Sequence, residues 1–220
     1  MSTYIDLSAI RKELLNFLRS SDILTVTQRG VTTSNDTGTF DADETYVISK
    51  TNVKNIRSIV VAGTTLTYGE DYTVDFDYLD TTIKCKISFT AAQTGAYTIS
   101  YNHGTDKIWD DFPRDDLTIG SYPRVSVDVT DGTSDAFGIG GTTFSSSINF
   151  TVVVYAQSIK TIDSTINTIR QKIMGNSKLF YYLGFTKPIG IGPLIENPEK
   201  DQEIMSRNID FQSIINVEST

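Results

Sequence analysis

The chain has 220 residues, with 27 acidic and 19 basic side chains, a net charge of −8 and a pI near 4.6, a balance that argues against sequence-independent grip on nucleic acid through displaced counterions. Charged residues at 21% are close to the globular average and set wholesale disorder aside. No apolar run reaches the ~20 residues of a membrane span and no secretory signal pattern is read at the N-terminus, so a soluble protein of one large or two small domains is expected.

The first element is a helix. Leu7, Ile10, Leu14 and Phe17 recur at steps of three, four and three, with Leu15 and Leu18 widening the stripe and Asp6 placed to cap it. Ser20-Ser21-Asp22 closes it, Ile23–Thr27 reads as a strand, and Ser34 to Gly38 as a turn or loop. From Glu44 to Asn102 the helical period gives way to short alternating runs between glycine-bearing turns, the pattern of a small β-sandwich. Its strands are read as Tyr46–Ser49, Ile56–Val61, Tyr72–Phe76, Ile83–Phe89 and Ala96–Tyr101, and Gly63 and Gly69 are positioned for turns that need positive φ. Cys85 alternates with Ile83 and Ile87 and reads as a small buried hydrophobe.

The host pattern resumes near Thr105. Asp110–Asp116 is an acidic connector, and Tyr122-Pro123-Arg124 heads an alternating strand to Val129. Asp131 to Ser147 reads as a polar glycine-bearing loop, and Ile148–Ala156 as the strongest strand. Ile159, Ile162, Ile166, Ile169 and Ile173 then fall at steps of three, four, three and four, a second amphipathic helix over Ser158–Met174 with Ser158 as N-cap and Gly175 just past its end. Lys187–Pro198 is a broken loop and Met205–Val217 a closing strand. The expected architecture is α+β: a mainly antiparallel sheet with two packed helices over 1–43 and 103–220, and an inserted β-sandwich module over 44–102.

The chemistry candidates are few. One cysteine excludes an intrachain disulfide and a cysteine zinc knuckle, and one histidine, His103, excludes a two-histidine metal site within the chain. Asp75, Asp77 and Asp80 approach a calcium loop, but Leu79 and Asp80 stand where the pattern needs a third oxygen ligand and a glycine. Asp110-Asp111 and Asp115-Asp116 lie in a solvated connector with nothing to tune a carboxylate. Gly138-Ile139-Gly140-Gly141 lacks the lysine and the strand-to-helix setting of a phosphate loop. Asn35-Asp36-Thr37 and Asn149-Phe150-Thr151 match the glycosylation pattern without a secretory context. No catalytic, cofactor-binding or metal-binding residue is assigned.

The order of elements does carry a resemblance. The N-terminal helix, the strand headed by Tyr122-Pro123-Arg124-Val125-Ser126-Val127, the loop, Val152-Val153-Val154-Tyr155-Ala156-Gln157-Ser158 leading into the helix Ile159–Met174, and the final strand resemble the tail terminator proteins of long-tailed bacteriophages and related tailed viruses. The likeness covers residues 4–42 and 105–218. The insert departs from it, and its run from Gly63 to Tyr72 is similar to β-sandwich decorations of phage structural proteins. The resemblance implies a structural virion protein, assembled in the host cytoplasm, that forms a hexameric ring. The ring caps the tail tube at its head-proximal end, ends tail polymerisation and docks to a neck or head-completion protein.

No enzyme activity, cofactor, membrane or sequence-specific nucleic acid enters that picture. Within the class the alternative is another neck adaptor or head-completion protein. From another class it is a glycan-binding module using Tyr46, Tyr68, Tyr72, Tyr78, Tyr97 and Tyr101 as stacking platforms. Phe137, Ile139 and Phe144 are the candidate partner-interface residues, being apolar on an otherwise polar loop.

Overall fold

The structure, a computed structural model, describes residues 7–79, 83–109, 122–137, 143–175, 185–197 and 204–218. Among the described residues the chain is largely β-structure, in two sheets with three helices. It divides into two compact units: residues 1–24 with 107–220, and residues 25–106.

In the first unit, α1 (Leu7–Ser20) buries Leu14, Leu15, Phe17 and Leu18. Its C-terminal Arg19 donates from Nε and Nη2 to the carbonyl of Ile108, at 3.2 and 2.8 Å, tying the helix end to β6 (Ile108–Trp109). β6 pairs in parallel with β7 (Arg124–Phe137), which pairs antiparallel with β8 (Thr143–Ala156). β8 pairs antiparallel with β11 (Ile204–Glu218), and β9 (Phe185–Ile191) and β10 (Ile195–Asn197) both pair with β11. Val125, Val127 and Val129 of β7, alternate residues from Ile148 to Ala156 of β8, and Ile209 and Phe211 of β11 share one face and one hydrophobic core with the buried side chains of α1. Phe150 and Phe211 are register partners and stack at 5.1 Å.

The chain turns from Ala156 directly into α3 (Ile159–Gly175), whose Ile162, Ile166, Ile169 and Ile173 join that core. Burying each such side chain contributes on the order of 1.5–3 kcal/mol. Ile159, the first residue of the stripe, is 47% exposed. The broken loop expected over Lys187–Pro198 holds most of β9 and all of β10. Pro188 sits in β9, where a register shift between Asp210 and Phe211 of β11 accommodates it.

The second unit starts with a helix where a strand was expected. Thr25 caps the four-residue α2 (Val26–Arg29), its hydroxyl accepting from the Gln28 amide while the Gln28 side chain accepts from the Thr25 amide. That reciprocal pair outweighs the β-branched character of Ile23–Thr27. Gly30, at φ +74, ends the turn in the left-handed conformation. β1 (Val31–Thr51) then runs through Ser34–Gly38, read from composition as a turn, and through the expected module boundary at Asp43/Glu44.

β1 pairs along its length with β5 (Lys84–Gly104), which unites the two expected strands Ile83–Phe89 and Ala96–Tyr101. β2 (Val53–Val61) and β4 (Tyr72–Leu79) pair with different halves of β5, and the two-residue β3 (Thr64–Thr65) pairs with β2. The expected β-sandwich is thus one hydrogen-bonded five-stranded sheet, with irregular register where β1 shifts on β5. Its core holds Phe40, Ile48, Ile56, Ile59, Ile87, Phe89, Ile99 and Tyr101, and Cys85 lies among them with no exposed surface. Gly63 and Gly69 both take φ +82.

Candidate functional site

The region expected to be a polar loop, Asp131 to Ser147, is for the most part strand. β7 and β8 stay paired outward through Asp135↔Ser145 and Ala136↔Phe144 to Phe137↔Thr143, so only residues 138–142 connect them. Gly132, one of the glycines that suggested a loop, falls with Thr133 in a register shift between Asp131 and Ser134, a bulge that adds residues to one strand without ending the pairing. On its other side β8 pairs with β11 to its very start, through Val217↔Phe144 and Glu218↔Thr143. β8 is therefore the central strand of a three-stranded ribbon.

Lengths decide what the helices cover. The 14 residues of β8 span about 46 Å, whereas the 17 residues of α3 span about 25 Å. Because α3 starts beside the end of β8 at Ala156 and folds back, it reaches only to about the level of Ile148. α1 lies over β7, with Arg11 Nη2 3.5 Å from the Val129 carbonyl and 3.7 Å from the Asp128 carboxylate. Beyond Asp131, Ile148 and Ser213 the ribbon continues as paired backbone to Phe137, Thr143 and Glu218. Of the three interface candidates, Phe137 and Phe144 occupy the outer paired end of this ribbon by backbone register, and Ile139 lies outside the described residues.

The Tyr122-Pro123-Arg124 motif builds a compact cluster at the opposite end of β7. The Arg124 guanidinium lies 4.9 Å from the ring centre of Trp109 and 4.7 Å from that of Tyr122, and the residue is 1% exposed. A buried cation between two aromatic faces recovers from their quadrupoles part of the hydration it loses. Burial, followed by the nearby charge of Arg124, holds the Lys107 amine below its usual range. Tyr155, Arg124's cross-strand partner, has its hydroxyl pushed up by burial.

In the second unit the Asp36 carboxylate accepts from the Ser49 hydroxyl at 2.7 Å, the Tyr101 hydroxyl at 2.8 Å, the Ser49 amide at 2.9 Å and the Tyr46 hydroxyl at 3.1 Å. Burial opposes its ionisation, but these donors outweigh it and hold the carboxyl below 3.8. Both carboxylate oxygens of Asp36 are satisfied, each by two donors. His103 Nε2 lies 3.0 Å from the Ser34 hydroxyl, and no carboxylate bonds that ring among the described residues.

Asp75 and Asp77 lie on β4, with Asp75 opposite Lys86, while Asp80 lies outside the described residues, as do the carboxylates at 110, 111, 115 and 116 and the glycines at 138, 140 and 141. Among the described residues no three histidine, cysteine or acidic side chains converge. Of the six tyrosines considered as stacking platforms, Tyr78 alone is exposed, with the Lys86 amine 4.8 Å over its ring. Tyr97 stacks on Phe40 at 4.0 Å, Tyr68 meets Tyr72 edge-on at 5.7 Å, and Tyr101 is wholly buried.

Sequence reasoning missed a buried polar network formed by Arg29, Asp106, Asn55 and Asn102. One local signal was readable: Thr25-Val26-Thr27-Gln28 followed by Arg29-Gly30 is a capping box with a C-terminal glycine. No family model matches the chain, and no curated protein matches it at a significant level.

Proposed function

We propose that this protein is a structural component of a tailed virus particle, a tail terminator that caps the tail tube at its head-proximal end, stops its growth and joins it to the neck. In this reading the first unit is the terminator domain, α+β with a mainly antiparallel sheet and two helices packed on it, and the second unit is an inserted β module. Copies associate in a ring, hexameric by the resemblance, and the protein works without catalysis, cofactor or membrane.

The observation that carries the reading is the ribbon of β7, β8 and β11. A cap needs a contact element held at a defined distance from its body, and a ribbon paired on both sides of its central strand supplies one. Phe137 and Phe144, paired into its outer end, are the residues this reading assigns to contact with the tube, the neck or a second copy.

The test is a shortened ribbon. Residues 134–146 are replaced by Asn-Gly, a two-residue hairpin turn. The purified protein should keep its denaturation midpoint, and particles assembled with it should carry tails of uncontrolled length. Uniform tails separated from heads would assign the protein to a neck adaptor instead. Normal, infectious particles would overturn the reading.

A further inference from the structure

The second unit is entered and left at one place. Arg29 ends α2 just before β1, and Asp106 lies two residues beyond the end of β5. Although 77 positions apart, their side chains meet: Arg29 Nε donates to Asp106 Oδ1 at 3.0 Å, and Nη2 donates to Oδ2. The residues are 1% and 2% exposed.

Two buried amides extend the contact. Asn55 Oδ1 on β2 accepts from Arg29 Nη2 at 2.9 Å and from Asn102 Nδ2 at 3.1 Å, and Asn102 Oδ1 on β5 accepts from the Thr33 hydroxyl of β1 at 2.7 Å. One chain of hydrogen bonds therefore links α2, β1, β2, β5 and the exit segment. Backbone bonds close the same end: Val31 is the register partner of Gly104, whose amide donates to Asn52 at 3.0 Å.

A charge pair removed from water holds only while both partners are in place, because loss of one leaves the other buried and uncompensated. Such a contact is all-or-none. We infer that this network is the lock that makes residues 25–106 open and close as a single cooperative unit, separately from the unit formed by 1–24 and 107–220. Each unit has its own hydrophobic core, so a lock on one end of the second does not draw on the packing of the first.

Amide hydrogen exchange on the full chain tests this. In Arg29→Met, protection across β1, β2 and β5 should fall by about two to three orders of magnitude, the scale of breaking a buried pair. Protection of β8, β11 and α3 should stay unchanged. Adding Asp106→Leu should restore most of the lost protection, because no buried charge then remains.

Loss of protection in both units together would overturn the inference. So would unchanged protection in β1, β2 and β5, or a double variant no better than the single. Should Arg29→Met fail to accumulate folded, the wild-type chain in low denaturant decides. β1, β2 and β5 must share one opening free energy that differs from that of β8, β11 and α3. A common value for all of them refutes the lock.

Discussion

The ring of Tyr97 lies directly across the backbone of Gly38, its partner on the neighbouring strand. A β-carbon placed on Gly38 would sit 2.9 Å from both Cε1 and the hydroxyl oxygen of that ring. The ring is held there, stacked at 4.0 Å on Phe40. Gly38→Ala must therefore displace Tyr97 from Phe40, an overpacking that should cost ~1–3 kcal/mol. The denaturation midpoint of the second unit measures it, and Tyr97→Leu in the same chain should relieve much of the clash.

The isoleucine stripe of α3 separates into two behaviours. Ile166→Ala and Ile169→Ala remove fully packed side chains and should each cost ~2–5 kcal/mol. Ile159→Ala and Asn167→Ala, on exposed positions, should stay within about 0.5 kcal/mol. Equilibrium denaturation of the four variants gives the comparison. A destabilised Ile159→Ala would mean that the first turn of the helix is covered in solution.

The Asp36 cluster predicts an acid limit. Its carboxyl is held below 3.8 by its donors, so the stability it contributes is complete above that value and is lost as the pH falls through the lower folded value. Asp36→Asn should be less stable than wild type at neutral pH. Its midpoint should also change less steeply between about pH 5 and pH 2. Parallel pH profiles for the two proteins would contradict this.

Tyr72 predicts the alkaline limit. Burial, with the neighbouring charges of Tyr68 and Asp71, pushes its hydroxyl from 10.0 up to about 12. The unfolded chain ionises first, so the contribution is whole below pH 10.0 and drains away up to about pH 12. Tyr72→Phe should keep the packing and flatten that decline, measured as midpoint against pH. Tyr46, raised in the same direction by burial, Tyr97 and Asp36, leaves a residual slope in the variant.

Legibility in the sequence followed the range of the interaction. The α3 stripe and the β8 run declared themselves because burial on one face imposes a period, and Ile162–Ile173 and Ile148–Ala156 keep it. Ser34-Asn35-Asp36-Thr37-Gly38 has the composition of a turn, yet it is strand. Ser34 and Asp36 find partners on His103, Ser49, Tyr46 and Tyr101, and Gly38 makes room for a ring. Those partners lie 10 to 69 positions away. The same holds at the candidate site. Asp131–Ser147 read as a loop because it is polar and carries Gly132, Gly138, Gly140 and Gly141, whereas its strand character depends on β11 pairing along the other side of β8, which local composition does not reveal.

The placement of Cys85 has a practical consequence. It is the chain's single thiol and has no exposed surface inside the second unit. A thiolate is what reacts with a disulfide reagent, and a thiol sealed in an apolar core does not form one. Each labelling event therefore records one excursion of the sheet to an open form, and with excess reagent the reaction rate becomes the rate of that excursion. The native sequence carries its own chemical stopwatch for one half of the molecule, while the other half, without a sulfhydryl, stays silent.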